Sequence, residues 1–181
     1  MPYEEAKKAN KGEQRASLYA QDLQRSKEFR SEYAARKGVV KAEEMPWEDS
    51  PHGRIKHVIH EKLNTKECAL DMYQLFLDGA GRSGKHRHMS EEVFYVLEGK
   101  GYDLHWDVDF ELDEAYEWKW SDEPKKFEWE EGDFVYIPPY TMHQHYNSDP
   151  SNPVRLLSAT SRLVRALGFD WLEQVEEAPG K

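Results

Sequence analysis

Cysteine is almost absent from this chain. Cys68 stands alone among 181 residues, so no internal disulfide can form and nothing points to an oxidising compartment. No apolar run approaches the length of a membrane span. The start, Met1-Pro2-Tyr3-Glu4-Glu5-Ala6-Lys7-Lys8, lacks the apolar core of a secretion signal. Positive charge is also short: 25 Lys and Arg face 35 Asp and Glu, a net charge of −10, which would repel nucleic acid and anionic membranes. The expectation is a cytoplasmic protein with neither as a partner. Disorder does not fit either, because aromatics reach 13%.

What is present falls into three stretches. From Gly12 to Lys37 helix formers dominate, with Leu18, Leu23, Phe29 and Tyr33 among many charges, and one or two amphipathic helices are expected. The run Met45-Pro46-Trp47-Glu48-Asp49-Ser50-Pro51 reads as a breaker-rich connector. Short strands follow at Ile55–Ile59, Leu70–Leu77, Glu92–Leu97, Tyr102–Asp107, Phe127–Trp129, Phe134–Ile137 and Val154–Thr160, punctuated by Gly-rich turns such as Glu98-Gly99-Lys100-Gly101. From Arg162 to Glu177 the apolar positions Leu163, Leu167, Trp171, Leu172 and Val175 return to helical spacing. The division expected is a helical arm and connector over 1–50, an all-β domain over 51–161, and a C-terminal helix and tail over 162–181.

Charge is uneven along the chain. Asp107 through Glu131 carries eleven acids against three lysines, with Trp118, Trp120 and Trp129 interleaved. This reads as a solvated hairpin whose tryptophans share a face. The sharper alternative is a flap over a functional pocket.

The chemistry concentrates in two clusters. In His86-Arg87-His88-Met89-Ser90-Glu91-Glu92, side-chain alternation on an extended chain puts both imidazoles on one face. With Glu92 and the downstream His143 brought in from neighbouring strands, four donors would surround a divalent metal. Gly99 lies seven residues after Glu92, while Gly132, Pro138, His143 and Asn147 form a second spaced set.

This double pattern resembles the two motifs of the cupin superfamily, the first matched by His86, His88, Glu92 and Gly99 and the second by Gly132, Pro138, His143 and Asn147. The resemblance implies a jelly-roll β-barrel with His86, His88, Glu92 and His143 holding one metal inside it. Two positions depart from the family pattern, which usually has glycine where Ala80 and Tyr140 stand. A small loop adjustment would absorb the first. The second implies a different turn or some strain.

Neutral imidazoles and one carboxylate suit Fe(II), Mn, Ni, Cu or Zn. Within the family, His86 through Gly101 and the strand after it look most like gentisate-dioxygenase-like proteins. That likeness favours Fe(II), a small aromatic or related oxygenated substrate, and dioxygen. Gentisate dioxygenases proper rely on three histidines, so Glu92 is either a fourth ligand or a catalytic base. The rivals are an isomerase, lyase or decarboxylase using the metal as a Lewis acid without oxygen, and a metal-dependent binding protein without turnover.

Two further residues are candidate catalytic groups. His145, two beyond His143, is read as a donor behind the metal, a substrate contact, or a rim histidine in water. Tyr140 is either a gate at the barrel mouth or the cap of a loop. Alternation predicts Tyr102, Leu104 and Trp106 facing inward, and leaves open whether Tyr73 or Gln74 faces the pocket. His52, His57 and His60 have no defensible partner spacing. A homodimer is expected, since small cupins often pair through sheet edges and the helical arm carries apolar residues that a lone barrel does not cover.

Overall fold

The computed structural model describes residues 17–66, 69–112, 116–169 and 171–180. The described residues fall into two compact units, divided between Arg36 and Lys37. In the first, helix α1 (Leu18–Ala35) matches the helical expectation, but its apolar residues Leu18, Leu23 and Phe29 are all exposed. Phe29 stacks on Tyr33 one turn later. Cys68 lies outside the described residues.

The second unit is built from strands. In chain order they are β1 (Trp47–Ser50), β2 (Gly53–Ile59), β3 (Leu70–Leu77), β4 (Lys85–His88), β5 (Glu92–Glu98), β6 (Lys100–Trp106) and β7 (Val108–Leu112). Then come β8 (Tyr116–Trp120), β9 (Lys125–Glu130), β10 (Phe134–Ile137), β11 (Met142–Asn147), β12 (Val154–Ser161) and β13 (Leu172–Glu176). One short helix, α2 (Leu163–Ala166), separates the last two. The seven strands expected from alternation and turn chemistry are all present, with ends shifted by at most two residues.

Two sheets form the frame: a six-stranded sheet in the order β1-β2-β3-β12-β5-β10, and a five-stranded sheet in the order β13-β4-β11-β6-β9. Strands β7 and β8 pair with each other as a hairpin, but the rest of the acidic segment departs from expectation: β9 joins the five-stranded sheet beside β6 and buries Trp129, so the three tryptophans do not share a solvated face. Among the described residues the sheets do not close into a barrel. The backbone pairing runs within two layers that share an interior, because edges such as β1 and β10 have no strand partner across the gap.

The two inner faces differ in kind. The six-stranded sheet supplies the apolar core, with Ile55, Leu75, Leu77, Phe94, Val96, Ile137, Val154 and Leu156 buried together. The five-stranded sheet turns polar groups inward: His86, His88, Asp103, His105, His143, His145 and Asn147 are all buried. This reverses the facing expected for β6, where Asp103 and His105 point in and Tyr102, Leu104 and Trp106 do not. Tyr102 instead stacks on Tyr146, and Lys85 sits over the ring of Trp106. Alternation fixed two faces of β6, but the buried face closes on its own hydrogen bonds.

Those bonds centre on Asp103, which is fully buried. Its Oδ1 accepts from Trp129 Nε1 at 2.9 Å and His145 Nδ1 at 3.0 Å, and its Oδ2 faces His105 Nε2 at 3.3 Å. Trp129 reaches it by lying across Gly101, where an added Cβ would meet the indole at 2.4 Å and Tyr146 O at 2.0 Å. Burial pushes the Asp103 carboxyl up, but the charge of His145 and the three donors outweigh it and hold it at about 2.

The C-terminal helix expected over 162–181 is a correction. Among the described residues there only the single turn α2 is helical; Gly168 takes φ +83°, and Leu172–Glu176 is the extended strand β13. There it pairs antiparallel with β4, with Leu172 opposite His88 and Gln174 opposite His86. The partner strand decides the outcome, since without β13 that edge of β4 would be unpaired. Trp47–Ser50, read as connector, is likewise a strand paired to β2.

Candidate metal centre

Strand β4 is only four residues long, and its alternation buries His86 and His88 while Arg87 points out to Glu173 of β13, 2.8 Å from its Nε. Strand β11 lies beside it with His143 directly opposite His86. Met89 to Glu91 then carries the chain to the other sheet, where Glu92 opens β5. Three imidazoles from one sheet thus meet one carboxylate from the other. Their donor atoms all lie within 4.8 Å of one another, and all four residues are buried. The structure brings together all four ligands expected from the sequence.

Each imidazole is oriented by its own segment. The Nδ1 atoms face backbone carbonyls two residues away: His86 to Gly84 O at 3.4 Å, His88 to Ser90 O at 2.8 Å, and His143 to Thr141 O at 2.9 Å. A carbonyl only accepts, so the proton sits on Nδ1 and the Nε2 lone pair turns toward the centre. Glu92 Oε2 lies 3.0 Å from His88 Nε2 and 3.4 Å from His143 Nε2.

Charge in the centre is shared among these groups. Burial pushes the Glu92 carboxyl up, but the neighbouring His143 and His88 imidazoles hold it well below its usual range. Burial depresses His86 strongly, with His143 adding to the effect, and it lowers His143 too. His88 alone moves up, because its contact with Glu92 outweighs its burial.

A divalent cation fits this set. His143 Nε2 is buried with no hydrogen-bond partner, and Glu92 Oε2 stands 3.4 Å from it. A buried acceptor left bare is costly, and a cation among three such nitrogens and a carboxylate would satisfy it.

A cavity of about 550 Å³ reaches the centre from one side, with His86, His88 and Glu92 in its wall. Its other walls include His52, Tyr73, Arg162, Trp171 and Leu172. Tyr73, not Gln74, faces the pocket, and its hydroxyl lies 3.3 Å from Glu92 Oε1. His52 packs its ring against His86 at 4.4 Å and places Nε2 3.4 Å from the Tyr73 hydroxyl. Burial and nearby His145 push His52 down to about 3, so it is neutral. Sequence spacing gave no sign of this residue, because it sits in the turn Pro51-His52-Gly53 between β1 and β2. His57 and His60 line the same cavity, His57 bound to Glu48 at 2.6 Å.

The two other candidate catalytic residues lie elsewhere. His145 points inward beside His143, ring centroids 5.5 Å apart, but it belongs to the Asp103 network and does not line the cavity. Asp103 pushes its imidazole up against the effect of burial. Tyr140 packs among Trp118, Trp120 and Trp171 at 5.1–5.2 Å, with its hydroxyl buried and unpartnered and its N–H donated to His88 O. Arg87 lies 3.6 Å over the Trp120 ring. The hairpin tryptophans Trp118 and Trp120 therefore meet Tyr140 rather than the cavity, which Trp171 alone of this cluster lines.

Both departures from glycine keep a glycine-like backbone. Ala80 has φ +54° and Tyr140 φ +64°, so neither loop readjusts. The left-handed conformation costs an L-residue roughly 1–2 kcal/mol. Ala80→Gly should therefore raise the melting temperature by relieving about 1 kcal/mol of strain. Tyr140→Gly should lower it, because losing a buried aromatic costs about 3–5 kcal/mol and outweighs the same relief. Thermal unfolding of the two variants checks both signs.

With fold and ligands in place, the class is defined: the chain belongs to the cupin family, whose model matches residues 44–163. Solved structures with the same fold include oxalate decarboxylase from Lactobacillus farciminis in a formate complex (TM-score 0.55, 16% identity, 74% of this chain and 34% of that one). Others are oxalate decarboxylase from Bacillus subtilis at pH 4.6 (0.53, 15%, 73% and 30%) and vicilin from hazelnut, Corylus avellana (0.55, 14%, 77% and 36%). The chain spans about a third of the length of each, and at these identities the likeness is one of fold. No curated protein matches it in sequence.

Proposed function

We propose that this protein is a metal-dependent enzyme acting on a small oxygenated molecule, and that its chemistry is that of a non-haem Fe(II) dioxygenase. One observation carries the reading: His86, His88 and Glu92 are at once members of the ligand set and walls of the 550 Å³ cavity. A molecule entering that cavity meets the metal position directly. Fe(II) held by four protein ligands would supply oxygen activation and a Lewis acid for the substrate's oxygens. The chain's own part is to orient three imidazoles and to set Tyr73 and His52 behind Glu92 in the cavity wall.

Glu92 favours a second reading. The dioxygenases that the sequence resembles use three histidines, and a fourth, anionic ligand also suits Lewis-acid decarboxylation without oxygen. The oxalate decarboxylases that share the fold point the same way. Metal analysis followed by oxygen uptake with dihydroxyaromatics and diketones separates the two. Bound iron with substrate-dependent uptake supports the dioxygenase. Anaerobic release of CO2 from small carboxylic acids supports the second reading, and ligand binding without product overturns both.

A further inference from the structure

The two oxygens of Glu92 have different company. Oε2 faces His88 and His143, whereas Oε1 accepts hydrogen bonds from Ser158 Oγ and from the Tyr73 hydroxyl. Ser158 on β12 and Tyr73 on β3 are direct cross-strand partners, so both side chains leave the sheet on the same face. Thr160, two residues on, pairs with Glu92 itself. The clamp is thus built from three adjacent strands rather than from loops.

Its proton count is fixed. A carboxylate only accepts, so Ser158 and Tyr73 both donate, and together they occupy the lone pairs of Oε1. Tyr73 has then spent its single proton, and its oxygen must accept from His52 Nε2–H 3.4 Å away. Ser158 is 2% exposed, so water does not compete for the position.

We propose that Tyr73 and Ser158 are positioning residues that restrict Glu92 to ligation through Oε2 alone, and so reserve two adjacent metal positions for a substrate that chelates through two oxygens. The proposal rests on the metal-centre reading above. On a six-coordinate metal, four single-atom protein ligands would leave two positions, and if Oε1 were free Glu92 could take two itself, leaving room for a single substrate atom. The clamp therefore selects two-oxygen chelators, such as vicinal diols, hydroxy acids, oxo acids or dicarboxylates, over one-atom ligands.

The test uses the whole chain loaded with saturating Co(II), whose visible spectrum reports coordination, and acetohydroxamate and azide as two-atom and one-atom probes. Tyr73→Phe/Ser158→Ala is expected to keep Co(II), change its spectrum, and weaken acetohydroxamate at least about tenfold, the lower range for outer-shell changes. Azide affinity should change much less, and Ser158→Thr, which keeps a hydroxyl, should behave like the parent. Unchanged acetohydroxamate affinity, equal loss of both probes, or loss of Co(II) at saturation would each overturn the clamp. Should the double variant fail to fold by circular dichroism, the two single variants decide, and parental spectra and probe affinities in both count against it. Failure of the parent protein to bind Co(II) strikes the metal reading instead.

Discussion

Replacing His143 with alanine is expected to strip the centre of its metal. Affinity should fall by more than about 100-fold, the upper range seen when only an outer-shell partner is lost. His143 is completely buried, stands opposite His86, and holds its Nε2 bare toward the other ligands. Thermal unfolding with and without added metal gives the readout. At a hundredfold excess over Kd, binding to the folded state adds about 2.7 kcal/mol, or roughly 5–10 °C for a chain of this size. The parent should show that rise, and His143→Ala should show none. A variant that keeps the rise and the full metal content would remove His143 from the ligand set.

The second large effect is structural. Asp103→Asn should cost about 3–5 kcal/mol, the usual result of removing one partner from a buried ion pair. His145 and His105 would lose the carboxylate they face, and Trp129 would lose its ionised acceptor. Part of this loss depends on pH in a defined direction. The Asp103 carboxyl sits at about 2 in the fold against 3.8 ordinarily, so its contribution is complete above 3.8 and disappears as pH falls through 2. That part amounts to about 2 kcal/mol. Denaturant titrations of parent and variant at pH 6 and near pH 3 should show the gap narrowing in acid. A gap that is constant or widens would mean that Asp103 is not the anion of the network.

The candidate metal ligands were legible in the sequence because alternation and a short link place three of them and a second spaced motif supplies His143. His86 and His88 share a face through simple alternation, and the short Met89–Glu91 link delivers Glu92 to the opposite sheet. Strands such as β3 and β10 were legible to the residue, since Asp78-Gly79 ends the first and Gly132-Asp133 and Pro138 bound the second. What could not be read depended on distant partners. Leu163 to Val175 has the spacing of a helix, yet its second half is a strand because β4 offers it an edge. Alternation alone could not say which face of β6 is buried, since the usual preference for apolar groups inside fails where Asp103, His105, His145 and Trp129 satisfy one another. His52 belongs to the pocket only once β2, β3 and β4 are assembled around it.

Ala80 and Tyr140 show the converse. Both break the expected glycine pattern while the backbone holds its left-handed turn, so residue identity there is a weaker guide than the path of the chain. At Tyr140 the surrounding aromatics explain the exchange: Trp118, Trp120 and Trp171 pack on a ring that glycine would not provide.

The carbonyls behind the three imidazoles bear on how such a centre persists through evolution. Gly84, Ser90 and Thr141 each aim a histidine no more than two residues away, and they do so with main-chain oxygen, which every amino acid carries. At Ser90 and Thr141 the aiming therefore does not depend on which side chain is present, whereas at Gly84 an added Cβ would meet Pro51 O at 2.5 Å. Substitution at Ser90 or Thr141 leaves the acceptor in place so long as the strands keep their register. Side-chain identity at Ser90 and Thr141 is thus released from the metal centre, while Glu92 depends on the hydroxyls of Tyr73 and Ser158.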